Sequence, residues 1–147
     1  MRLAAWIALA VLGADQLSKQ WAARALLVGD TVPVLPNVFH LTLVHNTGGA
    51  FGLLRGHTGW FLLLSLAATA VIGYQLWQSL RQRRRASREL WALSLILGGA
   101  VGNGLDRLRL GYVVDFLDFR VWPVFNLADS CITVGAILMA VLLPRRG

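Results

Sequence analysis

The 147-residue chain holds one cysteine (Cys131), one lysine (Lys19), one glutamate (Glu89) and only seven acidic residues in all. Each shortage removes a chemistry. A lone cysteine excludes an internal disulfide and a Cys-rich metal site, and its place in an apolar stretch reads as packing. A zinc hydrolase of the His-Glu-x-x-His kind needs a glutamate between paired histidines. Glu89 stands alone, and His40, His45 and His57 lack ligand spacing. A serine–lysine hydrolase would have only Lys19 as its base. Ser18 cannot face that lysine on a helix, and Asp15, four residues back, occupies it. There is no nucleotide-binding glycine loop, internal repeat or low-complexity linker. Neither a metal nor an organic cofactor is expected.

Charge is also missing from long stretches. Thr58 to Leu80 has none, Leu90 to Leu105 has none, and Val124 to Leu143 has one charge in 20 residues. A helix of about 20 residues crosses the roughly 30 Å hydrocarbon core of a bilayer. The N-terminal run Leu3 to Gly13 is short and is followed by Asp15, Lys19 and Arg24. It reads as a helix continuing to about Leu27 rather than a cleaved leader, because Asp15 and Lys19 share a face and neutralise each other. The chain is therefore expected to be an α-helical integral membrane protein, a single membrane domain over 1–147. Its four transmembrane helices fall near 3–27, 58–80, 90–107 and 124–143.

The net charge of +7 has a membrane explanation rather than a nucleic-acid one. Arg2, Arg81, Arg83, Arg84, Arg85, Arg88, Arg145 and Arg146 all fall on one side if four spans alternate, as the positive-inside rule requires. Both termini and the loop 81–89 are then cytoplasmic, while segments 28–57 and 108–123 face outward. Val38 to Asn46 (VFHLTLVHN) is β-branched and aromatic, so a small extracytoplasmic β-sheet is expected between helices 1 and 2. The glycine-rich turn after it, with Gly48, Gly49 and Gly52, lets backbone come close to a ligand.

The remaining polar residues form stripes. Asn126, Asp129, Ser130 and Thr133 share one face of the fourth helix, Asn103, Asp106 and Arg107 one face of the third, and Asp15, Ser18 and Lys19 one face of the first. All lie toward the outward ends, Asp129 about 9 Å below the edge at 1.5 Å per residue. Gly98-x-x-x-Gly102 allows the third helix close packing. Asn103 and Asn126 read equally well as interhelical glue, and Asp106-Arg107 as a snorkelling pair. Asp15-Lys19 reads as structural, and Asp118 as an ordinary loop residue.

An ionisable group in an apolar setting marks a functional site by default, and Asp115 in Val113-Val114-Asp115-Phe116 and Asp129 are such groups. With other bases eliminated, they remain as an acid–base pair. Two close carboxylates share one proton. The ionised one activates water and the protonated one serves the carbonyl oxygen and leaving amine. The rival reading is a small proton-coupled carrier with both aspartates as a relay. Four spans without a repeat weigh against it.

Five blocks in order carry a resemblance over nearly the whole chain: Asp15-Gln16-x-x-Lys19; Asn46-Thr47-Gly48-Gly49-Ala50-Phe51-Gly52; Gly98-Gly99-Ala100-Val101-Gly102-Asn103-x-x-Asp106-Arg107; Val113-Val114-Asp115-Phe116; and Phe125-Asn126-Leu127-Ala128-Asp129-Ser130. With them the chain resembles the lipoprotein signal peptidase (signal peptidase II) family of bacterial membrane aspartyl endopeptidases. The resemblance implies that Asp115 and Asp129 are the catalytic dyad beneath an outer β-cradle. It implies that Asp15, Lys19, Asn46, Asn103, Asp106, Arg107 and Asn126 shape or support the pocket, with Gly48 in the adjoining turn. It further implies a diacylglyceryl-prolipoprotein substrate cut on the amino side of its modified cysteine. The setting is the bacterial cytoplasmic (inner) membrane, with membrane lipid around a monomer and the site near the outer face. Gly49, where alanine is commoner, and Cys131, where a small apolar residue is usual, are minor departures.

Overall fold

The computed structural model describes residues 2–48, 58–82 and 87–142. Gly49 and Gly52 of the glycine-rich turn, His57, Arg83–Arg85 and the terminal Arg145-Arg146 lie outside them. Four helices carry the apolar stretches: α1 (Arg2–Ala25), α2 (Thr58–Gln82), α3 (Ser87–Leu110) and α4 (Leu127–Leu142). Their ends differ from the expected spans by no more than about three residues, a normal fraying margin. By length and composition one described helix, over Gly59–Arg81, is apolar enough to cross a membrane, with a mean hydropathy of 1.5. The apolar stretch Leu127–Val141 of α4 is shorter. Polar stripes lower the averages for α1 and α3.

Helix α3 is the hub, packed against α1, α2 and α4. Glycine makes this possible. A Cβ on Gly98 would lie 2.7 Å from the Ala8 carbonyl oxygen of α1, and one on Gly99 would lie 2.6 Å from that of Ala128 in α4. Any side chain at these positions would push the helices apart. Gly98 and Gly102, the expected small-residue pair, both face α1, and Gly99 beside them adds the close approach to α4.

Strands β1 (Thr31–Leu35), β2 (Phe39–Asn46) and β3 (Val113–Asp118) form one antiparallel sheet in the order β1-β2-β3. The first two lie between α1 and α2, as expected. The third corrects the expectation for segment 108–123, where no strand is predicted from the sequence. Val113–Asp118 pairs with β2 and ties the two outer segments together. Its six residues are nearly all buried, so no in–out alternation marks them as a strand. The register skips between Leu41 and Val44. Beside that bulge the Phe116 and Leu117 N–H groups turn to the Phe125 carbonyl, 3.0 and 2.8 Å away. Leu43, Val114 and Phe116 pack on Ala22, which seats the sheet on the end of α1. A second core around Ala4, Leu76 and Leu93 closes the opposite end.

Candidate active site

Asn126 organises the start of α4. It sits one residue before the helix, and its Oδ1 accepts the Asp129 N–H at 2.9 Å, the usual N-cap bond to the third helical residue. Its Nδ2 donates to Asp115 Oδ1 at 2.7 Å and to Asn103 Oδ1 at 3.1 Å. One buried amide therefore joins the helix carrying Asp129 to the strand carrying Asp115. On β2, Asn46 is two residues beyond Val44, the partner of Asp115, and so shares its face. Asn46 Nδ2 reaches Asp115 Oδ2 at 2.9 Å. Both oxygens of Asp115 thus accept an amide hydrogen. Asp129 Oδ1 accepts one from Asn103 Nδ2 at 2.7 Å.

Below this layer lies a buried ionic cluster. Lys19 Nζ contacts Asp15 Oδ2 at 2.8 Å, Asp106 Oδ2 at 2.9 Å and Asn103 Oδ1 at 2.8 Å. Its three donors are all used. Asp15 Oδ1 accepts the Ala128 N–H at 3.0 Å, so a carboxylate from α1 satisfies an orphan donor of α4 and complements the positive end of its dipole. Asp106 Oδ2 also accepts the Val114 N–H at 3.2 Å, anchoring β3 next to Asp115. Gly102 leaves room for Asp15, whose Oδ2 would be 2.5 Å from an added Cβ. Burying such charges is costly unless every partner is present, and here the partners come from three helices and a strand.

Asp115 and Asp129 both line a cavity of about 810 Å³ together with Asn46, Asn103 and Arg107. Its walls include Leu43, Val44, Trp122, Val124 and Ile132. Burial, the main cause, and the neighbouring Asp129 charge push the Asp115 carboxyl up to about 7, against the lowering effect of Asn46, Asn126 and Lys19. Arg107 lies within electrostatic reach of Asp129, Asp115 and Asp106. It donates to Ser65 Oγ at 3.2 Å and to the Gly48 carbonyl at 3.3 Å. Among the described residues no group of three His, Cys, Asp or Glu side chains could hold a metal ion.

Nine of the ten candidate site residues from the sequence lie at this cavity or in the bonded network beneath it, and Gly48 adjoins it through its bonds to Arg107 and Asn46. Three other features were missed. Gln16 donates to Asp15 Oδ2, Asp106 Oδ1 and the Gly102 carbonyl, at 3.2, 2.9 and 3.3 Å; its place beside Asp15 was the available signal. Ser65 has no sequence signal, being one hydroxyl in an apolar helix. Asp118 is buried rather than a loop residue. Burial would raise its carboxyl, but bonds from Thr42 (2.7 Å) and Arg120 hold it below the usual range.

The family model described as signal peptidase (SPase) II matches residues 7–144. The chain belongs to the signal peptidase II family. Among relatives, the lipoprotein signal peptidase of Trichormus variabilis is 46% identical over 140 residues, covering 93% of this chain and 84% of that protein. That of Caldanaerobacter subterraneus subsp. tengcongensis is 46% identical over 134 residues, covering 90% of each. A solved structure described as a bacterial membrane enzyme superposes with a TM-score of 0.87 at 31% identity, covering 97% of this chain and 88% of that one. As a signal peptidase II, the chain is a peptidase of a bacterial membrane family.

Proposed function

We propose that the chain removes signal peptides from prolipoproteins as an aspartyl endopeptidase, cutting on the amino side of a diacylglyceryl-modified cysteine, with Asp115 and Asp129 as its catalytic pair. The supporting observation is one cavity lined by both carboxylates, in which the charge of one raises the proton affinity of the other. A pair of this kind holds one proton between two groups. The ionised carboxylate takes a proton from water as the water oxygen attacks the scissile carbonyl. The protonated carboxylate gives its proton to the forming alkoxide. As the tetrahedral intermediate collapses and the C–N bond breaks, the proton taken from water passes to the leaving amine and one hydroxyl of the intermediate returns its proton to the second carboxylate, restoring the shared proton. Asn46, Asn103 and Asn126 keep both carboxylates in place, which is positional work. Lys19, held by Asp15 and Asp106, anchors the Asn103 amide, and Arg107 holds the chain beyond β2 at the Gly48 carbonyl.

Membrane embedding through four spans, in one domain and as a monomer, completes the proposal. The tryptophans support it. Trp6, Trp77 and Trp91 lie at one end of the bundle and Trp21, Trp60 and Trp122 at the other, all between 47% and 66% exposed. Two interfacial aromatic belts have this pattern. Fifteen residues separate Trp6 from Trp21 and seventeen separate Trp60 from Trp77, roughly 22 and 26 Å along a helix. With the arginine-rich end inside, the cavity opens at the outer face, where acyl chains can stay in lipid while the scissile bond meets the carboxylates. No observation favours the carrier alternative.

The test uses purified protein with a lipidated prolipoprotein and its unlipidated precursor. Cleavage of the first, with little or none of the second at saturation, is expected. Equal turnover of both would remove the lipoprotein specificity, and no turnover of either would remove the peptidase reading.

A further inference from the structure

A second cavity, of about 400 Å³, lies between the last turns of α1 and α3 under the β2–β3 ladder. That volume is within the usual range for small-ligand pockets. Val114 and His45 line it, and they alternate with Asp115 and Asn46 along their strands, so this is the reverse face of the ladder. His45 borders both cavities and stacks on Tyr112 with ring centroids 3.8 Å apart.

The charges here do not balance. At the floor, Lys19 and Asp106 are already paired. At the rim, Arg24 and Arg109 are exposed and have no carboxylate partner among the described residues. The Gln20 amide and the Tyr112 hydroxyl also line the cavity without a hydrogen-bond partner among the described residues. Both arginines are in the final turns of their helices. There they offset the negative dipole ends, which uses their charge but leaves their forked donors free. Guanidinium forks match phosphate oxygens in pairs. In the topology proposed above, on which this inference rests, these turns lie at the outer headgroup level beside exposed Trp21.

We propose that this cavity binds the phosphodiester headgroup of an anionic phospholipid from the outer leaflet, with Arg24 and Arg109 holding its phosphate oxygens and Gln20 and Tyr112 its polar remainder. The lipid would buttress the ladder whose other face carries Asp115.

Native mass spectrometry of the full chain in detergent tests this with phosphatidylglycerol and phosphatidylcholine of identical acyl chains. Wild type should retain one phosphatidylglycerol in preference to phosphatidylcholine. R24Q/R109Q should lose roughly fivefold in phosphatidylglycerol retention for each arginine removed, with phosphatidylcholine, whose ammonium offsets its phosphate charge, falling less, and R24K/R109K should fall between. Excess inorganic phosphate should not displace the lipid, which is held by its chains as well. Equal retention of both lipids by wild type, undiminished retention by R24Q/R109Q, or displacement by phosphate would overturn the proposal. The wild-type comparison stands even if the double variant does not fold. The readout needs no cleavage, so selective retention by a protein that cuts no lipidated precursor would support the lipid site while faulting the peptidase reading.

Discussion

Lys19 Nζ lies 2.8 Å from Asn103 Oδ1, and this contact decides which end of the Asn103 amide faces Asp129. A lysine can only donate, so the amide oxygen must turn toward it and the NH₂ toward the carboxylate. Asn126 is fixed in the same way, its oxygen taken by the Asp129 N–H and its NH₂ directed at Asp115. The buried lysine thus orients a carboxylate it does not touch.

Replacing Lys19 with Met should destabilise the protein by about 3–5 kcal/mol, because Asp15 and Asp106 would be left without their cation. Denaturation in detergent measures this. Asp15→Asn should be milder, since an amide oxygen can still accept the Ala128 N–H. An unaltered Lys19→Met stability would contradict the cluster's structural role.

Gly99→Ala should cost about 1–3 kcal/mol from overpacking and also reduce turnover. The new methyl would meet the Ala128 carbonyl, next to Asp129, at 2.6 Å. Gly13→Ala, inside α1 with nothing within 4 Å, is the control and should be stabilising by about 0.5–1 kcal/mol with turnover unchanged. Equal effects from both would show that α3–α4 contact does not set the position of Asp129.

The four helices and the candidate residues gathered around the cavity were legible because two strong signals coincide in the sequence. Apolar stretches of span length fix the helices, and the few buried charges stand out within them. Asp15, Asn103 and Asn126 each fall on a helical stripe. β3 was not legible: Val113–Asp118 is short, buried on both faces and paired with a strand about 70 residues earlier. The Asp118–Thr42–Arg120 cluster was hidden for the same reason, since it depends on that pairing. Nor could spacing alone show that Asp15 caps another helix.

The raised Asp115 carboxyl gives a signed pH dependence. Its value moves from the ordinary 3.8 to about 7, so the folded protein binds this proton more tightly than the unfolded chain. The associated stability is fully present below about pH 4 and is lost as pH rises through about 7. Thermal melts across that window should show wild type losing stability relative to Asp115→Asn. Cleavage should fall on the alkaline side with an apparent pKa near 7 belonging to the pair, because no proton then remains for the carbonyl oxygen. Activity flat well above that pH would contradict a shared proton.

Topology can be read by labelling in a Cys131→Ala background. Val121→Cys, at a position 92% exposed in the outer segment, should react with an impermeant thiol reagent in intact cells. Arg88→Cys, exposed at the start of α3, should be protected. The reverse pattern would put the cavity on the wrong face of the membrane.

The central claim rests on Asp115 and Asp129, and substituting each by asparagine tests it most directly. Purified wild type, Asp115→Asn and Asp129→Asn are compared on one lipidated prolipoprotein under single-turnover conditions, with folding verified by melting. Each variant keeps the carboxylate's shape but cannot carry the proton, so each should lose at least about 10²–10⁴-fold in rate, the usual worth of a positioned acid or base. Either folded variant cutting within tenfold of wild type would contradict the two-aspartate mechanism.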